Sequence, residues 1–185
     1  EYRNRTMIEL ADSDFSMRFG NIDLLSFDGI LGWDILSQLD FELDDIKKEF
    51  KVLKNRLKVP NPNMLKGSFP CFIVKLPNGN SALYGFDSGS KMSWIGEDAI
   101  QLHNYRSSKE VNSVGFGVHG MEKLQLKVIE HCTLLLDKAK IDLYQTMSGR
   151  TKLFPSFSFD GVLGNEICKG RRMRIINSAQ MVLIA

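Results

Sequence analysis

Hydrophobic and polar residues alternate with a period of two, or cluster in short apolar runs, at 7–10, 71–75, 81–86, 122–129 and 133–136. A strand points successive side chains to opposite faces, so this pattern predicts short β-strands. Turn chemistry separates them. Pro77-Asn78-Gly79-Asn80 predicts a hairpin between 71–75 and 81–86, and Ser148-Gly149-Arg150 predicts a loop. Helical patterns are short, at 33–39, 96–102 and 165–169. The expected fold class is all-β. Residues 55–66 mix prolines, asparagines and charge without a strand pattern and are expected to be a linker between 1–54 and 67–185.

The chain also repeats itself. "LSFDGILGWDI" at 25–35 aligns without a gap to "FSFDGVLGNEI" at 157–167, with seven of eleven positions identical. The offset of 132 persists downstream, where Phe41, Leu43, Phe50 and Val52 fall opposite Met173, Ile175, Val182 and Ile184. Each copy predicts a buried strand, a glycine (Gly32 or Gly164), a short helix and a hairpin. The first copy starts midway and no initiator methionine opens the chain, so residues 1–54 are expected to be the back half of a larger unit.

Composition narrows the function classes. A formal charge of +2 with dispersed Lys and Arg gives no nucleic-acid footprint, and the densest basic run, "KGRRMR" at 169–174, reads as a solvated strand edge. No apolar stretch approaches the roughly 18 residues of a membrane-spanning helix. Cys71, Cys132 and Cys168 lack zinc or disulfide-framework spacing. The three histidines show no paired metal spacing, so neither metal nor cofactor is expected. Asp40, Glu42, Asp44 and Asp45 lack calcium-loop spacing and read as a solvated face. "GFGVHG" at 115–120 fits the dinucleotide-binding pattern G-x-G-x-x-G, which requires a helix to follow. The alternating "MEKLQLKVIE" after it predicts a strand, so that reading is set aside.

An apolar strand, "ALYGF", runs into Asp87-Ser88-Gly89, and "FDGVLG" follows at 159–164. This order resembles the aspartic proteases of the pepsin and retropepsin type, the bacterial retropepsin-like proteins most closely. The resemblance implies an acid-protease barrel in which 67–185 forms a complete second lobe and 1–54 the C-terminal half of a first. It makes Asp87 catalytic, with Ser88 and Gly89 shaping its turn. Gly115, Phe116 and Gly117 become candidates for a flap over an extended peptide substrate. Asp28, Gly29 and Gly32, and likewise Asp160, Gly161 and Gly164, become structural apolar-glycine motifs, their aspartates capping the turn or following helix. It also leans towards a secreted or periplasmic location.

Such catalysis needs two carboxylates sharing one proton, and this chain has one Asp-Ser-Gly. The other aspartate would come from a missing half-lobe, a homodimer mate or a second chain. Without it the protein is a catalytically silent relative that binds peptides or scaffolds a partner. Either way, Ile30, Leu31 and Phe41 should need covering by the second lobe, a symmetry mate or another chain.

Overall fold

The computed structural model describes residues 16–19, 22–26, 30–54, 61–100, 107–117, 120–149 and 159–185. The strand expected at 7–10, the linker residues 55–60, and Asp28 and Gly29 lie outside them. The chain is mostly β, as its alternation predicts, and contains a closed six-stranded barrel.

Two strands, β1 (Ser16–Phe19) and β2 (Ile22–Ser26), form a two-stranded sheet among the described residues. A one-turn helix, α1 (Trp33–Leu36), leads into the hairpin of β3 (Asp40–Asp44) and β4 (Glu49–Val52). Next come β5 (Met64–Leu65), β6 (Cys71–Lys75), β7 (Ser81–Phe86) and β8 (Trp94–Gly96). A long hairpin, β9 (Ser107–Gly117) and β10 (Gly120–Leu136), precedes β11 (Ala139–Gly149), β12 (Gly161–Leu163) and the terminal hairpin of β13 (Arg172–Ile176) and β14 (Met181–Ile184). The barrel runs β6-β7-β12-β8-β11-β10 and closes where Leu135 pairs with Lys75. Phe72, Val74, Tyr84, Ile95, Leu134, Leu136 and Leu163 fill it and are essentially inaccessible to solvent.

A four-stranded antiparallel sheet, β14-β13-β3-β4, joins the two ends of the chain. Its central ladder is self-complementary under the 132-residue offset. Glu42 faces Arg174, its own counterpart, while Phe41 pairs with Ile175 and Leu43 with Met173. The hairpins match in register: Leu43 pairs with Phe50 as Ile175 pairs with Val182. Leu53 N–H donates to Asp40 O at 2.7 Å, and Ala185 N–H to Arg172 O at 2.9 Å, again 132 residues apart. Lys48 and Gln180 both adopt left-handed backbone, with φ of 57° and 51°.

Several expectations change. Residues 61–66 are not featureless: β5 pairs with β6, and Asn63 ties the segment to the terminal sheet. Its side-chain amide donates to Val182 O at 2.9 Å and accepts from Val182 N–H at 2.8 Å. Ser148 and Gly149 belong to β11, because parallel pairing with Ile95 and Gly96 gives their backbone partners. "KGRRMR" enters β13, an interior strand flanked by β14 and β3. The acidic cluster is not a solvated face. Glu42 and Asp44 are buried, and every carboxylate has work. Glu42 binds Arg174 Nε, Asp44 accepts from Ile46 and Lys47 N–H, Asp45 from Gly170 N–H, and Asp40 from Ser178. The Lys48 ammonium and the Gly170 amide hold Asp45 below its usual range. No helix among the described residues is long and apolar enough to cross a membrane.

Candidate functional site

The Asp87 turn is built by a strand inserted between two others. β7 and β8 flank β12, which runs parallel to β7 and antiparallel to β8. The connection at residues 87–93 must therefore arch over the end of β12. Alternation along β7 buries Ala82, Tyr84 and Phe86, and brings the chain out at Asp87. Gly85 sits where a Cβ would meet the rings of Phe69 and Phe159 at 2.9 Å.

Hydrogen bonds latch the arch to the segment after β12. Asp87 N–H donates to Leu163 O at 3.0 Å, and Asn165 N–H to Ser90 O at 2.7 Å. The Asn165 side-chain amide donates to Ser88 O at 3.3 Å, and Gly164 N–H to Ser93 Oγ at 3.0 Å. Ser93 N–H in turn donates to a Glu166 carboxylate oxygen. Gly164 has no room for a side chain: a Cβ would lie 2.6 Å from Met92 C and 2.8 Å from Ser90 O. The obstacle is this turn rather than a crossing strand. Asn165, Ser93 and Glu166 thus position the turn although the motif reading passed over them. The one sequence signal was the replacement of Trp33 and Asp34 in the first copy by Asn165 and Glu166 in the second.

Within the turn, Gly89 N–H donates to Asp87 Oδ1 at 2.9 Å, and Ser90 N–H to Asp87 O at 3.1 Å. The amide donor on one oxygen orients the carboxylate. Asp87 is half-buried, with Ser88 and Gly89 exposed, so solvent and a ligand can reach it. Asp87, Ser88, Gly89 and Gly164 are thereby brought together.

Asp160 serves another end of the strand. Its carboxylate accepts from Leu83 N–H at 2.7 Å, and its own N–H donates to Leu83 O at 2.8 Å. It anchors β7; it does not cap the following 3-10 helix, Asn165–Cys168, whose N-cap is Gly164. Leu83 precedes Asp87 by four extended residues, about 13 Å of strand, so Asp160 does not face Asp87 across a shared proton. Gly161 is also locked, with a Cβ 2.4 Å from Trp94 O.

Gly115, Phe116 and Gly117 end β9 and pair with Glu122, Met121 and Gly120 near the tip of the long hairpin. The strand β10 that follows leaves no helix N-terminus for a dinucleotide phosphate. Among the described residues no hydrogen bond joins this tip to the Asp87 turn.

The first copy differs. Gly32 begins α1 with extended backbone, as Gly164 begins its helix, yet among the described residues a Cβ there would meet the Asp34 carboxylate alone. Phe41 is buried by this chain, whereas Ile30 and Leu31 are 69% and 54% exposed.

Burial, aided by the Asp45 charge, pushes the Cys168 thiol up to about 11, away from nucleophilic use. No three His, Cys, Asp or Glu side chains among the described residues are grouped to hold a metal. No protein-family model matches this chain, and no curated protein matches it.

Proposed function

We propose that the chain is the Asp87-bearing part of a pepsin/retropepsin-like aspartic endopeptidase, with the second aspartate supplied from outside residues 1–185. The observation that carries the reading is the latched turn. An Asp-Ser-Gly at the end of a barrel strand is held by residues 163–166 of the repeated motif, with its carboxylate oriented by Gly89 N–H and open to solvent. A carboxylate so held can act as one half of a proton-sharing pair. The ionised member takes a proton from water as the water attacks the peptide carbonyl, and the protonated member donates to the carbonyl oxygen. The substrate would be an extended peptide, bound by strand-like hydrogen bonds beneath the 107–136 hairpin acting as the flap.

A second reading is a silent relative that binds peptides. It draws on one observation: among the described residues, no hydrogen bond joins Asp87 to another carboxylate. The experiment is cleavage of a diverse peptide library across acid and neutral pH by wild type and Asp87→Asn, with circular dichroism on both. The endopeptidase reading expects cleavage favoured by acid and abolished in a folded Asp87→Asn. Cleavage retained by the variant would sink it, and peptide binding without cleavage by wild type would establish the second reading.

A further inference from the structure

Between α1 and β5 lies a cleft of about 670 Å³, in the size range of ligand-binding clefts. Trp33, Ser37 and Gln38 form one wall, Met64 to Gly67 form the other, and residues 177–180 complete it. The walls are tied together. Trp33 Nε1–H donates to Gly67 O at 3.2 Å, and the Asn177 side-chain amide donates to Leu36 O at 2.9 Å and Leu39 O at 2.6 Å. Gln180 O accepts from Asn63 and Met64 N–H at 3.2 and 3.1 Å. These bonds fix the spacing of the walls before anything binds. The main chain of the β5 wall is only partly used. Ile73 N–H donates to Asn63 O at 2.8 Å, so Asn63 and Leu65 turn their main-chain groups towards β6 and Met64 turns its own away. Met64 N–H is taken by Gln180 O, but among the described residues no partner meets Met64 O or Lys66 N–H. Beside them Leu65 is 44% exposed. Lys66 is the only charged side chain lining the cleft, and it has no carboxylate partner among the described residues.

We propose that this cleft docks an extended, acidic segment of a partner protein, which adds to β5 as a short parallel strand. In a parallel pair one residue donates to the carbonyl before its neighbour and accepts from the amide after it. Met64 O and Lys66 N–H are spaced to receive one residue of the segment in that way. A carboxylate on the segment meets the Lys66 ammonium, and an apolar side chain lies against the Trp33 ring. The charge of the occupant follows from Lys66, since the rest of the lining is amide, hydroxyl and apolar. A small anion uses Lys66 and leaves the main-chain groups and Trp33 without contacts, so the lining favours a peptide. The cleft shares no lining residue with the Asp87 turn, and the proposal holds whether or not Asp87 cleaves anything.

The test titrates the Asp87→Asn protein, which leaves any peptide whole, with fluorescent nonapeptide pools carrying Glu, Gln or Lys at a fixed central position. Anisotropy measures binding. The indole N–H signals of Trp33 and Trp94, the chain's two tryptophans, report its place by NMR. The Glu pool should bind at least about tenfold more tightly than the Lys pool. It should shift the Trp33 indole and the Lys66 amide and leave Trp94 unmoved. Lys66→Glu should reverse the order of the pools, and if that variant does not fold, Lys66→Gln should bring the Glu and Gln pools level. No binding by any pool, equal binding by all three, or an order unchanged by the Lys66 variants would overturn the proposal. Shifts at Trp94 in place of Trp33 would do the same, marking binding beside the Asp87 turn. So would N-acetylglutamate amide binding as tightly as the Glu pool, the sign of an anion site, or self-association abolished by Lys66→Glu, the sign of a second copy. None of these outcomes bears on whether wild type cleaves peptides, so failure here is distinguishable from failure of the catalytic reading.

Discussion

Alanine at two repeat-related glycines should have opposite effects on stability. At Gly164 the backbone is extended (φ −86°, ψ 178°) and at Gly32 nearly so (φ −69°, ψ 156°), so alanine strains neither. Each substitution also removes a similar conformational freedom from the unfolded chain, which stabilises by about 0.4–1 kcal/mol. What differs is the space. At Gly164 the new Cβ would stand 2.6 and 2.7 Å from Met92 C and O, and 2.8 Å from Ser90 O. All three atoms belong to a turn pinned at Leu163, Gly164 and Asn165. Ordinary contact needs about 3.5 Å, so the turn must retreat by roughly 0.8 Å against its hydrogen bonds. Overpacking of this kind costs about 1–3 kcal/mol. At Gly32 the near atom is an Asp34 carboxylate oxygen, the far end of a side chain and not backbone, which yields at less cost. Gly32→Ala should therefore be neutral or slightly stabilising. The difference between the variants should be the overpacking cost itself, about 2 kcal/mol, or roughly 4–8 °C in Tm for a chain of this size. Thermal and urea unfolding of wild type and both variants measures it. Equal shifts, or a Gly164→Ala more stable than Gly32→Ala, would refute the reasoning.

Asn63→Ala should lower stability by about 2–4 kcal/mol, because it strands both backbone groups of fully buried Val182; the urea midpoint reads this, and a loss below about 0.5 kcal/mol would contradict it. Asp142 on the barrel surface is held well below its ordinary value of 3.8 by hydrogen bonds from Thr133, His131 and Lys140. A depressed folded-state pKa stabilises above the unfolded value and is lost as pH falls through the folded one. The Tm gap between wild type and Asp142→Asn should thus be present at neutral pH and close progressively below pH 3.8, and a gap that widens in acid would reverse the sign.

How much the sequence discloses depends on how local the cause is. The hairpins at 71–86, 40–52 and 172–184 were legible because alternation and turn residues lie within a dozen positions of each other. β10 was read as two strands because Glu130 and His131 are both exposed, which breaks the period of two. The pairing resumes across that slip, where Gln145 opposite takes a left-handed φ of 54°. Ser148-Gly149 looked like a loop because nothing nearby announces a parallel partner at Ile95 and Gly96. The acidic cluster was misread for the same reason: Glu42 meets Arg174 through a ladder that joins opposite ends of the chain. Asp87 could be found from a motif. Its supports at Ser93, Asn165 and Glu166 could not, since they act through backbone contacts some 70 residues away in the chain.

The repeat explains why the same motif can be core in one place and surface in another. A three-residue strand such as β12 has too little area to hold itself; it exists because β7 and β8 sandwich it. Residues 28–32 match 160–164 at every position but Ile30/Val162, yet among the described residues no strand pairs with 30–32. The glycines make the point sharply. Gly164 is required by a backbone turn that presses on it, while at Gly32 the near atom belongs to the Asp34 side chain.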